Sequence, residues 1–356
     1  MRALHPLVFC VLLVACGGRS APATPRPADQ AAASETPPSD TPSASPPPQT
    51  PQDEGAKIAI ATAPSAPSVG SPPTVKVTET GAAPKKKLRY RFKAGVTEVL
   101  EMDMKMSLAM SMGEKTAPKT DLPTIRTTMR IDAKELTPEG DLRCTFNADK
   151  VEVLKDVKVD AKTREGLEKE LAGLVGMHGK SRISTRGVAS ESEFQLPPHA
   201  SQSLNTQMET LRDAIRQLYV PFPEEELGKG ATWEVTSRIP INGALVDTKM
   251  GYVLTKLEAG GAQADVDISL SAPPNQPMRI GALPAGATAT LDSLAGKGSG
   301  TVSPSFVRLV GTGSNKVSME STFAVTIRGQ KIEMKMQSDV AVVLRPGRTP
   351  LPVAKK

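Results

Sequence analysis

The chain has 356 residues, of which 23% are charged, 38% hydrophobic and only 3% aromatic, and a formal net charge of +6. Sparse aromatics, with acidic residues interleaved among the basic ones, argue against a nucleic-acid surface. Three histidines leave little general acid–base chemistry near neutral pH. No Gly-x-Ser-x-Gly elbow, paired-Cys zinc spacing, His-Glu-x-x-His or P-loop occurs, so the expectation is a non-enzyme without cofactor, catalytic residue or metal ligand.

The chain starts with MRALHPLVFCVLLVAC, where Arg2 precedes an apolar run from Leu7 to Ala15. A span of the bilayer needs about 20 apolar residues, so this run has the anatomy of a secretory signal instead. Its end, Leu13-Val14-Ala15-Cys16, resembles the lipobox of bacterial lipoproteins. That resemblance implies a signal peptide over residues 1–15, acylation of Cys16 and export to the cell envelope with the protein lipid-anchored to the membrane. Gly17 stands where many inner-membrane lipoproteins carry an aspartate, so the same resemblance favours the outer membrane. Cys10 would then leave with the signal, Cys16 would be blocked, and Cys144 would be the remaining thiol.

From Cys16 to residue 84 the composition turns to Pro, Ala, Ser and Thr, interrupted by Ile58 and Ile60. Such a segment cannot bury enough apolar surface to offset its ordering entropy, so a disordered tether is expected. Its root-mean-square span as a coil would be roughly 45 Å. The run Lys85-Lys86-Lys87 marks the start of the folded part and reads as solvated charge.

Residues 85–347 are rich in period-two alternation, the mark of half-buried strands. Leu88, Tyr90 and Phe92 share one parity. In LEMDMKMSLAMSM, Leu100, Met102, Met104, Met106, Leu108, Met110 and Met112 form one stripe, and the other parity is polar or small. Met129, Ile131 and Ala133 alternate with charges, and Thr-Pro-Glu-Gly-Asp at 137–141 turns the chain into Leu142, Cys144 and Phe146. Cys144 thus reads as a small buried hydrophobe. Two segments step by three and four instead, predicting amphipathic helices near 163–177 and 202–219.

The second half returns to alternation. Val266, Ile268 and Leu270 oppose Asp265, Asp267 and Ser269; Val317 to Ile327 forms one long face, and Arg-Gly-Gln turns it into the run from Ile332 to Leu344. Gly-Lys-Gly-Ser-Gly at 296–300 reads as a bend or turn among strands. FKAGVTEV and GKGATWEV each precede a long alternating run, a hint of internal duplication. Residues 348–356 are expected to form a flexible tail.

One-sided alternation suits an antiparallel sheet with a wet face. The fold expected is mainly β: a curved antiparallel sheet or open barrel with one or two helices packed against it. This plan is similar to the half-barrel carriers of bacterial lipoproteins that cradle acyl chains. The functional reading is a non-enzymatic envelope lipoprotein that binds a hydrophobic ligand or another envelope protein, with Met102, Met104, Met106, Met334 and Met336 facing the ligand. Two alternatives stand beside it. One is a purely structural or interaction lipoprotein. The other is a Cu(I) or Ag(I) binder, because soft ions accept thioether sulfur and a Met-x-Met strand resembles the ligands of small periplasmic copper-handling barrels.

Overall fold

In the computed structural model, residues 72–113, 115–201, 204, 218–279 and 287–348 are described. Their strands in chain order are β1 (Thr74–Glu79), β2 (Lys86–Lys87), β3 (Thr97–Met112), β4 (Lys115–Thr116), β5 (Thr120–Asp121), β6 (Ile125–Leu136) and β7 (Leu142–Val153). Helix α1 (Ala161–Ala172) follows, then β8 (His178–Ile183), β9 (Ala189–Gln195), β10 (Glu226–Leu227), β11 (Thr232–Ile241) and β12 (Ala244–Leu257). The remainder is β13 (Ala262–Ala272), β14 (Gln276–Met278), β15 (Thr288–Ser303), β16 (Thr312–Ile327) and β17 (Gln330–Pro346).

Except for a two-strand pairing of β2 with β10, the strands belong to one sheet in the order β1-β11-β12-β13-β15-β16-β17-β3-β6-β7-β8-β9. Every neighbouring pair in this order is antiparallel, as the one-sided alternation predicts. Two meanders make it. One runs from β3 to β9 and the other from β11 to β17, and they join where β17 pairs β3, from Pro346 opposite Leu100 to Met334 opposite Met112. FKAGVTEV and GKGATWEV lie at the entrances to β3 and β11, the first long strand of each meander. The β16–β17 hairpin turns on Arg328 and Gly329, both at positive φ, the two-residue geometry whose twist matches the flanking strands.

The sheet is open, with β1 and β9 as its ends. It is bent so far that those ends share a core. Leu142, Phe146 and Ile183 from one wing lie in the same buried cluster as Trp233, Tyr252 and Leu254 from the other. Two extended connectors bridge the wings. Tyr90 N–H donates to Thr185 O and Arg91 N–H to Phe306 O, while Phe222 N–H donates to Arg186 O. Leu88, Tyr90 and Phe92 are all buried, as their shared parity predicts, although they form a bridge and not a strand.

The Gly-x-Gly-x-Gly at 296–300 lies within β15. These residues are strand interior and not a turn, a correction to the sequence reading. Gly296, Gly298 and Gly300 lie opposite Met319, Val317 and Asn315 of β16. A Cβ on Gly298 would meet Lys316 O at 2.4 Å, and one on Gly300 would meet Ser314 O at 2.2 Å. Only hydrogen fits at these two positions, so β15 and β16 approach closely there.

Three further expectations need correction. Thr74–Glu79, assigned above to the tether, is edge strand β1 on β11, because Val75 and Val77 face the core opposite Val235 and Trp233. The helix expected at 163–177 spans Ala161–Ala172: the Asp160 carboxylate accepts from Thr163 N–H at 2.9 Å to start it, and Gly173 caps its end. Lys86 is not merely solvated, since its ammonium donates to Glu258 O at 2.7 Å and lies 5.6 Å from the centre of the Phe306 ring. Of the helix expected at 202–219, only Leu204, Leu218 and Tyr219 lie within the described residues: Leu204 is helical and the other two are not. The signal peptide, Cys16, most of the tether and residues 349–356 lie outside the described residues.

Candidate functional site

The long strands β13, β15, β16, β17 and β3 carry the inner face of the bend. At one end of α1, Leu167 and Leu171 pack with Met106, Leu108, Leu122, Ile125 and Leu204, covering part of β3. The wings enclose the opposite region around Trp233 and Phe222. Between these two covered zones the inner face is half-exposed: Met102, Met104, Val317, Met319, Val342 and Leu344 are neither buried nor fully open. Their register is continuous, with Val342 opposite both Met104 and Asn315, and Leu344 opposite Met102.

The five methionines singled out in the sequence therefore divide. Met102 and Met104 lie on the half-exposed inner face, whereas Met106 is buried beneath α1. Met334 is buried with Ala289, Phe323 and Val325 in a separate cluster at the other end of β17, and Met336 packs between that cluster and the helix-covered one. Across from Met334 and Met336 stand Met112 and Met110, not Met102–Met106. The long-range register that places them there leaves no trace in local periodicity. His178 and His199 are exposed, and Trp233 is buried in the wing core, so none joins a methionine strand.

Burial graded in this way sets an order of mutational costs. Met106→Ala should lower stability by about 2–3 kcal/mol, and Met104→Ala by less because the side chain is half-exposed. Met104→Leu nearly conserves volume and should cost under ~1.5 kcal/mol. Lys105, on the opposite exposed face, is the control at no more than ~0.5 kcal/mol when changed to Ala. Equal losses for all four in urea melts would contradict the assigned strand facing.

The outer parity of β3 carries charge. Arg126 forks onto Asp103 at 2.7 and 2.8 Å, and Arg345 donates to Asp103 at 2.9 Å and to Glu101 at 3.0 Å. The Arg126 hydrogen bonds hold the Asp103 carboxyl at about 2, below the usual carboxylate range. A depressed folded pKa contributes stability that is complete above the unfolded value near 3.9 and disappears as pH falls through 2. Asp103→Asn should therefore cost about 2 kcal/mol or less at pH 7, given the partly exposed arginines, and almost nothing at pH 2. A cost that persists at pH 2 would mean that packing, not charge, is lost.

The facing wings leave a cavity of about 150 Å³ between them, lined by Val188, Ala189, Tyr219, Val235, Met250 and Tyr252 among others. It is smaller than the 300–1,000 Å³ typical of small-molecule sites, so it suits a segment of a chain and not a whole ligand. Inside it, the Ser237 and Thr248 hydroxyls pair at 2.6 Å and the Tyr252 hydroxyl meets Met250 Sδ at 3.3 Å. Cys144 is buried in the neighbouring wing, where burial pushes its thiol up to about 12, a weak nucleophile as its alternation predicts. Among the described residues no group of three His, Cys, Asp or Glu side chains could hold a metal ion. Compared with known proteins, the chain matches no protein-family model and no curated sequence.

Proposed function

We propose that the protein is an exported envelope lipoprotein, anchored to the membrane through acylated Cys16 and bound for the outer membrane, that holds a hydrophobic ligand on the inner face of its bent sheet. The observation that supports this reading is the half-exposed apolar strip of Met102, Met104, Val317, Met319, Val342 and Leu344. An apolar strip on the concave side of an open sheet offers a ligand burial on two sides, and thioethers adapt to chains of varied shape. An acyl chain is the class that fits best, because it needs no fixed polar partner along its length. At ~0.8 kcal/mol per buried CH₂, a chain of ordinary length has ample driving force.

Native mass spectrometry of the protein purified from its own membrane tests the reading. Acyl lipids should co-purify and be lost in Val342→Asp, which places a carboxylate in the strip. A bare mass for wild type, or lipid retained unchanged in the variant, would leave an interaction protein without ligand as the better account. The anchor has its own test. Labelled palmitate should enter the wild type and not Cys16→Ser, and release of an unlipidated wild-type protein would refute it.

A further inference from the structure

At the far end of the β3–β17 pair, beyond the strip just described, the register brings four methionines together. Met112 lies directly opposite Met334, and Met110 directly opposite Met336. Residues two apart on a strand share a face, and directly paired residues on neighbouring strands share it too. The four side chains therefore stand on one face at the corners of a rectangle, with Cβ separations of roughly 5 Å across the strands and Cα separations of about 6.7 Å along them. Met110, Met334 and Met336 belong to one packed cluster, which Met278 of β14 also joins.

The surroundings select the chemistry. The charged residues of this stretch of β17, Glu333 and Lys335, lie on its opposite parity, and Lys115 of β4 is paired with Met112 at the remaining corner. The neighbours on the methionine face are Phe323, opposite Met334, and Ser321, opposite Met336. Among the described residues of β3, β16 and β17 at this end, no carboxylate or imidazole shares that face, so these strands offer hard cations and zinc no ligands. Thioethers are neutral, soft donors, and each methionine has three rotatable bonds with which to turn its sulfur toward a common point. Burial is graded across the set: Met334 is 5% exposed and Met112 is 42% exposed, so the rectangle is anchored at one corner and open at another. Met110 and Met336 are half-buried between them, so the exposed thioether of Met112 is placed as an entry ligand.

We propose that Met110, Met112, Met334 and Met336 form a binding site for a soft monovalent metal ion, Ag(I) or Cu(I). The site differs from the Met-x-Met pairs at Met102, Met104 and Met106, which the register sets opposite Leu344, Val342 and Val340. Only one strand of that region supplies sulfur. Because no thioether loses a proton on binding, affinity should be the same at pH 5 and pH 7.5, unlike that of a thiolate or imidazole site.

Ag(I), which needs no reductant, is the probe, added to the full chain labelled with ¹³C at the methionine methyl groups. The ε-methyl signals of Met110, Met112, Met334 and Met336 should move together and saturate at one ion. Those of Met102, Met104 and Met106 should stay in place. The double variant Met110→Leu with Met336→Leu conserves apolar volume, so it should keep its thermal melt and bind at least about tenfold more weakly, since even outer partners of metal ligands are worth that much. Should the double variant lose its fold, Met112→Leu at the exposed corner provides the same comparison in a folded protein. Still methyl signals at these four residues, Ag(I) shifts centred on Met102–Met106, or wild-type affinity in the folded variants would overturn the proposal.

Discussion

Gly298→Ala should destabilise the protein by about 3 kcal/mol, although it adds a single methyl group to a strand. The new Cβ would lie 2.4 Å from Lys316 O and 2.7 Å from Val317 Cγ2. The carbonyl belongs to the β15–β16 ladder and cannot swing aside like the end of a long side chain. Relief requires breaking that ladder where β15 and β16 approach closely. Gly251 on β12 is the matched control, because a Cβ there meets nothing within 4 Å and its φ is ordinary. Gly251→Ala should be neutral or stabilising by about 0.5 kcal/mol, through the lowered entropy of the unfolded chain. If urea melts find the two variants alike, the glycine stripe is not what permits the close approach of β15 and β16.

Phe222→Ala should cost about 3–5 kcal/mol. Phe222 is fully buried, and its ring lies 5.3 Å from that of Tyr90, 6.3 Å from Trp233 and 5.8 Å from Phe306. Tyr90 is on the bridge from one wing, while Trp233 and Phe306 belong to the other side of the core. Its removal opens a cavity where the wings meet, at a place where neither sheet edge can collapse inward without breaking Phe222 N–H to Arg186 O or Tyr90 N–H to Thr185 O. Trp233 is the only tryptophan in the chain and is 1% exposed, so its fluorescence reports on this junction directly. Its emission should shift to the red in Phe222→Ala under native conditions, ahead of global unfolding. An unshifted emission together with a loss below about 1 kcal/mol would show that the wings are held elsewhere.

Much of the strand content was legible in the residues. Alternation assigns each side chain to a face by period two, a purely local property, and Leu142, Cys144 and Phe146 are buried together as their parity requires. The turn after Leu136 and the turn at Arg328–Gly329 were likewise readable from residues that favour those conformations. Strand β1 was missed because Val75 and Val77 are only two apolar residues in a Pro- and Thr-rich stretch. Alone they could not hold a strand; the ready edge of β11 makes them one. Helix α1 ends earlier than its leucine spacing suggests, because Gly173 and the positive φ of Gly176 turn the chain before Met177.

The sequence by itself determined a β-rich domain, the inward face of each long strand and the buried state of its lone domain thiol. Tertiary structure alone decided that the last strand pairs with the first long one, that the sheet bends until its ends share a core, and that Met110 and Met112 meet Met336 and Met334. The physical reason is distance along the chain. Facing is set by neighbours one or two residues away, whereas the β17–β3 register joins residues more than 220 positions apart and depends on every strand between them. A shift of one residue in that pairing would send the methionines of one strand to the opposite face and dissolve the cluster.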